Sequence, residues 1–80
     1  MEIVLKYYRW RKASDVTREY ALFELINDDV PVMDVGFSDD GTFEIAFNVS
    51  ISGVVIDLEK FLELLEEGRA LAERDRDLSS

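Results

Sequence analysis

Val32-Met33-Asp34-Val35-Gly36-Phe37 and Thr42-Phe43-Glu44-Ile45-Ala46-Phe47-Asn48-Val49, joined through Ser38-Asp39-Asp40-Gly41, decide the fold. In the second segment Phe43, Ile45, Phe47 and Val49 alternate with Thr42, Glu44, Ala46 and Asn48. That period of two marks a strand with one apolar face. In the first segment Met33, Val35 and Phe37 share one side, and Val32, Asp34 and Gly36 share the other. For Phe37 and Phe43 to point the same way, the loop must hold an odd number of residues. A three-residue loop Asp39-Asp40-Gly41 meets that condition, with Gly41 in the left-handed position of a type I turn plus bulge. The register is then Phe37 opposite Phe43, Val35 opposite Ile45 and Met33 opposite Phe47. All three pairs are large and apolar, so this hairpin builds half a core by itself.

Working outward, Asn27-Asp28-Asp29-Val30-Pro31 reads as a turn, because Asn and Asp tolerate turn geometry and Pro31 cannot donate to a ladder. Residues 19–26 precede it as a strand with two largely apolar faces, Ala21-Phe23-Leu25 and Tyr20-Leu22-Glu24-Ile26. Residues 2–10 read as a further strand, rich in Ile, Val, Leu, Tyr and Trp. Residues 11–18 connect the two. On the other side of the hairpin, Ser50-Ile51-Ser52-Gly53 breaks the pattern. Val54-Val55-Ile56 reads as a short extension of the sheet, or as a crossing segment that leads to the helix. Asp57 is an N-cap for a helix over 58–73. Leu58, Phe61, Leu62, Leu65, Gly68 and Ala72 repeat along it at helical spacing. Gly68 marks close approach of this helix to the sheet, and residues 75–80 are expected to fray. The predicted fold is α+β: a single domain over 1–80, with a four-stranded antiparallel meander, five-stranded if residues 54–56 join it, and one C-terminal helix on one face.

The chain has 80 residues, 18 acidic and 9 basic, for a net charge of −9. It contains no cysteine and no histidine, which removes disulfides, thiolate metal sites and the commonest general base. No stretch approaches the roughly 18 apolar residues of a membrane span. The N-terminus Met1-Glu2-Ile3 lacks the basic-then-apolar layout of a signal peptide. Lack of cysteine is compatible with a cytoplasmic protein. Charge is segregated. Residues 1–18 hold five bases against two acids, and residues 19–68 hold 13 acids against Lys60 alone. General affinity for nucleic acid or anionic membrane is not expected of such a chain.

Carboxylates are the only catalytic or metal-binding raw material in quantity. Glu24, Asp34 and Glu44 fall on the polar side of neighbouring strands, where they can raise one another's pKa or hold a hard cation. They are equally the ordinary polar positions of a half-exposed sheet. Asp28-Asp29 and Asp39-Asp40-Gly41 lack the alternating acids, central Gly and closing Glu of a calcium loop, and read as turns. No phosphate-binding loop, dinucleotide fingerprint or serine elbow occurs. No cofactor and no metal are expected, nor is enzymatic activity.

Three surfaces remain as candidates. Lys6, Tyr8, Trp10 and Lys12 would share one face of the first strand, as a stacking platform for single-stranded nucleic acid or with Tyr8 and Trp10 as aromatic anchors for a protein. Tyr20, Leu22, Ile26 and Val32 would form an apolar second sheet face fit for pairing copies of the chain. Asp28, Asp29, Asp39, Asp40, Glu59, Glu63, Glu66 and Glu67 would present carboxylates in rows, which steer basic partners. In size, charge and layout the chain resembles small acidic bacterial or phage inhibitors, such as nuclease-toxin immunity proteins and nucleic-acid mimics. That resemblance implies a protein-binding module occluding a basic, nucleic-acid-handling protein. No motif carries it, so it assigns no residue a role. The alternative is a homo-oligomeric accessory domain that pairs through the second sheet face. Crowded carboxylates also predict that mild acidification and moderate salt stabilise the fold, unless the basic N-terminal strand already neutralises them.

Overall fold

The computed structural model describes residues 3–4, 7–48 and 54–79. Six strands and a helix follow in order: β1 Ile3–Val4, β2 Tyr8–Ala13, β3 Leu22–Asn27, β4 Val30–Phe37, β5 Phe43–Phe47, β6 Val54–Val55 and α1 Leu58–Ser79. Strands β2-β3-β4-β5 form one antiparallel sheet in that order, with α1 packed on one face. The fold is α+β.

The β4–β5 hairpin has the register that the odd loop demands: Phe37 opposite Phe43, Val35 opposite Ile45, Met33 opposite Phe47. Gly41 N–H donates to Ser38 O and Ser38 N–H to Thr42 O, both at 2.9 Å. Gly41 has φ 88°. This is a type I turn closed by a glycine bulge. The β3–β4 connection is tighter. Asn27 stands opposite Val30, and Asp28 and Asp29 between them have φ of 46° and 68°. Two left-handed residues make the twist of the turn match that of the strands, and Asp is among the few side chains that tolerate it. This two-residue turn lets β4 begin at Val30, earlier than residue 32. Pro31 therefore lies within the strand, beside a register shift between Leu25 and Ile26, where a missing N–H is tolerated.

The N-terminal region divides differently from the sequence reading. In place of one strand over 2–10, β1 pairs in parallel with β6, as Ile3–Val54 and Val4–Val55. Strand β2 runs on to Ala13, because Lys12 and Ala13 continue the ladder opposite Phe23 and Leu22. Segment 54–56 thus extends no part of the main sheet. Strand β3 starts at Leu22, since the chain first turns on itself at Asp15. Thr17 N–H and Oγ1 both donate to Asp15 Oδ1, and Arg18 N–H donates to Asp15 O. Glu2, Leu5, Lys6, Val49, the Ser50–Gly53 break and Ser80 lie outside the described residues.

Asp57 caps α1, its Oδ2 accepting Lys60 N–H at 2.9 Å. The buried line along α1 is Leu64-Gly68-Ala72, with Phe61, Leu65 and Leu71 half-buried beside it. Leu58 and Leu62 were expected in that line, but they are 65% and 47% exposed. The roll of the helix explains the difference. Gly68 packs against the Trp10 indole, and Trp10 Nε1–H donates to Leu64 O at 3.1 Å. With this line held against the sheet, Leu58 and Leu62 are turned out of the core, Leu62 towards Phe43 and Ile45 of β5. The helix also outlasts residue 73. Asp75 meets Lys12 Nζ at 2.5 Å, and the Arg76 guanidinium lies 4.0 Å from the centre of the Phe37 ring. Residues 75–79 are helical rather than frayed because the sheet holds them. Between helix and sheet, Phe23, Leu25, Met33, Val35 and Phe37 complete the core.

Candidate functional site

The acidic face is built from α1. Glu59, Glu63, Glu66 and Glu67 are all exposed. At about 100° of rotation per residue they fall within an arc of roughly 100°, opposite the buried line. Glu59 stands in the first turn, where the positive end of the helix dipole favours a carboxylate. Lys60 is the only base among residues 58–68, and none of the four glutamates makes an ion pair among the described residues.

The four aspartates predicted to join them are divided between two places. Consecutive turns of a meander alternate between its ends, so Asp28-Asp29 and Asp39-Asp40 lie at opposite ends of β4. Eight residues of β4 separate them by about 25 Å, at roughly 3.3 Å per residue. Three of the four carboxylates also have local work. Asp29 pairs with Arg9 at 3.3 Å. Asp39 Oδ1 accepts Glu19 N–H at 3.4 Å. Asp40 Oδ1 accepts Ser38 Oγ–H and Thr42 N–H, and these hydrogen bonds hold its pKa below the usual carboxylate value.

The basic strand is largely neutralised from within. Arg9 meets Asp29, Arg11 meets Glu24 at 2.9 Å, and Lys12 meets Asp75. Tyr8 and Trp10 pack against the core beneath α1 rather than facing outward, so the face proposed as a stacking platform is the one the helix covers. The apolar second face is also largely closed within the chain. Ile26 is 1% exposed, Tyr20 and Val32 pack against the core, and Leu22 Cδ2 sits 3.0 Å from where a Cβ on Gly36 would be.

Glu24 and Asp34 are direct cross-strand neighbours, while Glu44 stands opposite Gly36, two residues further along β4. Among the described residues no three carboxylates gather closely enough to hold a metal ion. Burial, followed by repulsion from Glu24, raises the pKa of Asp34, and Arg18 partly offsets this. Asp15 and Asp40 are lowered, mainly by side-chain hydrogen bonds from Thr17 and Ser38. The signs give opposite pH windows. A raised carboxylate destabilises the native state above its folded pKa, so protonating Asp34 as the pH falls from neutral towards the ordinary value of 3.8 is stabilising. Asp15 and Asp40 contribute stability that is lost only below the unfolded value of 3.8. The expected result is a melting temperature that rises from pH 7 to pH 5 in the native chain. In Asp34→Asn that rise should be smaller, with a higher starting value. Parallel pH profiles for the two proteins would refute this.

Sequence reasoning missed one surface. Ile45 and Phe47 are 41% and 65% exposed, and Leu62 stands across from Ile45. With Phe43 and Leu65 at its base, a cleft of about 260 Å³ opens between β5 and α1, bordered by Glu66 and Arg69. The signal was available. Four strands about 4.8 Å apart make a face 15–20 Å wide, and one helix covers only about 10 Å of it. The helix packs chiefly over β4 and β3, which leaves the β5 margin partly uncovered.

Compared with known proteins, the chain matches no family model, no curated protein and no solved structure. Among the described residues no helix is long and apolar enough to cross a membrane.

Proposed function

We propose that this chain is a small non-enzymatic protein-binding module of the inhibitor or immunity type, which occludes a basic, nucleic-acid-handling protein. The observation that carries this reading is the face of Glu59, Glu63, Glu66 and Glu67: four exposed carboxylates on one side of α1, none paired among the described residues. The bases of β2 are engaged elsewhere, so they do not cancel this face. Such a surface speeds association by long-range attraction, and a rigid helix presents it without ordering cost. Asp39 and Asp40 serve their turn and leave the proposed contact set, and Asp28 and Asp29 at most touch its margin. A cytoplasmic setting goes with this reading, on the lack of cysteine in the sequence.

The test is capture from a lysate of the source organism by the immobilised chain, beside Glu59→Gln/Glu63→Gln/Glu66→Gln/Glu67→Gln, with captured proteins named by mass spectrometry. The expected partner is basic. Its association rate should fall at least about tenfold in the quadruple variant, and it should be released by salt, as steered association requires. Equal retention by both proteins at low and high salt would overturn the reading.

A further inference from the structure

We infer that β5 is a self-pairing edge, through which two copies of this chain join their sheets antiparallel about a two-fold axis at Ile45. The inference goes beyond the acidic face and does not depend on it.

The main sheet has two edges, β2 and β5, and they are protected differently. Strand β2 carries Arg9, Arg11 and Lys12, the charged guards that keep natural edges from pairing. Strand β5 is Phe43-Glu44-Ile45-Ala46-Phe47, with one charge and three large apolar side chains on the helix face. Among the described residues nothing pairs with its outer side.

The hydrogen-bond phase of β5 shows which groups that outer side offers. Ser38 N–H donates to Thr42 O, and Asn48 N–H to Val32 O. Residues 42 and 48 therefore point their amides at β4, and so, by alternation, do Glu44 and Ala46. Phe43, Ile45 and Phe47 point theirs outward. Antiparallel pairing about Ile45 satisfies all of them. Ile45 meets Ile45 of the partner subunit, and Phe43 meets Phe47 of the partner subunit, each pair exchanging both main-chain bonds. A shift of one residue would set inward-pointing amides against outward-pointing ones, so only even shifts keep the phase. Of these, the pairing about Ile45 joins all three outward amides within β5, whereas an axis at Glu44 sets that carboxylate against its own copy.

The side chains agree with this pairing. Ile45 and Phe47 are exposed, and Ile45 and half-buried Phe43 line one cleft with Leu62, so joining two copies merges two apolar strips into one. Glu44 falls opposite Ala46 of the partner subunit, so no like charges stand face to face. The two-fold axis also runs the helices antiparallel. Arg69, midway along one α1 and over Phe43, is thereby brought towards the glutamate-rich first half of the other. An unrelated strand would satisfy the same amides, but nothing would match it to the alternation of Phe43, Ile45 and Phe47 and to Arg69 and the glutamates of α1 at once.

Sedimentation equilibrium of the whole chain, from low micromolar to near-millimolar concentration, is the test. A monomer–dimer equilibrium is expected. Ile45→Lys should raise its dissociation constant at least about 100-fold, because the axis sets two like charges opposite each other and each substitution counts twice. Circular dichroism checks that this variant folds. Should it not fold, amide hydrogen exchange of the native chain decides. Protection of Phe43, Ile45 and Phe47 should then rise with protein concentration, while that of Arg9 and Arg11 should not. A strict monomer over the whole range overturns the proposal. So does a dimer indifferent to Ile45→Lys in a folded variant, or a concentration-dependent protection located elsewhere.

Discussion

Gly68→Ala is expected to destabilise this protein, although the same change in an exposed helix stabilises by about 1 kcal/mol. A Cβ at position 68 would lie 2.6 Å from Trp10 Cζ2 and 2.8 Å from Cη2, well inside van der Waals contact. A rigid indole has no flexible end to move aside. Either α1 retreats, or Trp10 shifts and strains the Nε1–H bond to Leu64 O. Overpacking of this kind costs about 1–3 kcal/mol, and the loss of that hydrogen bond about 1 kcal/mol more. The net expectation is a loss of roughly 2 kcal/mol. Trp10→Ala should be worse, at about 3–5 kcal/mol, since it opens a cavity beneath α1. A domain of 80 residues has a stability of only about 4–12 kcal/mol, so Trp10→Ala takes much or most of it.

The sign of one comparison makes this specific. In a Trp10→Leu background the smaller side chain leaves room at position 68. There Gly68→Ala should become stabilising, as helix propensity alone requires. Urea denaturation of the four proteins in that cycle reads the coupling between the two sites. Gly68→Ala with the same sign in both backgrounds would show that the indole is not what the glycine accommodates.

Gly68 also shows how much of the fold could be read from the chain. Its close approach to the sheet followed from a glycine inside an otherwise good helix. The identity of its partner did not, because that depends on which strand lies beneath. The β4–β5 hairpin was legible to the residue, since a period of two and an odd loop leave one register. Asp57 as N-cap was legible for a similar reason, being the last polar residue before the helical pattern. The limits of β1, β2 and β3 were not, since they depend on partners distant in sequence: Val54 and Val55 for β1, Phe23 and Leu22 for the end of β2.

The candidate site was legible in part. Spacing alone placed four glutamates on the outer side of α1. Topology already in hand would have separated the other four carboxylates into two pairs that cannot both join that face, because turns before and after the same strand lie at its opposite ends. Neutralisation of the basic strand was hidden for a deeper reason. Arg11 finds Glu24 only because the two are cross-strand partners, and that register is set by the β2–β3 pairing, which no short loop dictates.

Ending the chain after Arg74 is expected to lower stability by roughly 2 kcal/mol, although six residues from a C-terminus are ordinarily dispensable. Two contacts made by this segment explain the loss. The Arg76 guanidinium stacks 4.0 Å from the centre of the Phe37 ring, and Phe37 is a core residue only 4% exposed. A cation over an aromatic face is worth about 0.5–2 kcal/mol, and its removal also opens the end of the core to water. Asp75, the less exposed partner of Lys12 at 2.5 Å, adds a smaller amount, since half-exposed ion pairs contribute about 0.2–1 kcal/mol. In a domain of this size 1 kcal/mol shifts the melting temperature by about 4–8 °C, so the truncated chain should melt roughly 10 °C lower. Single substitutions separate the contributions. Arg76→Ala should reproduce most of the loss and keep it in high salt, where stacking survives screening. Asp75→Asn should reproduce less, and its effect should shrink as salt rises. Arg76→Lys keeps the charge but loses the planar group, and should fall between native and Arg76→Ala. A truncated chain that melts within about 2 °C of the full one would mean that the last turn of α1 frays, as its sequence alone suggests, and that the sheet does not hold it.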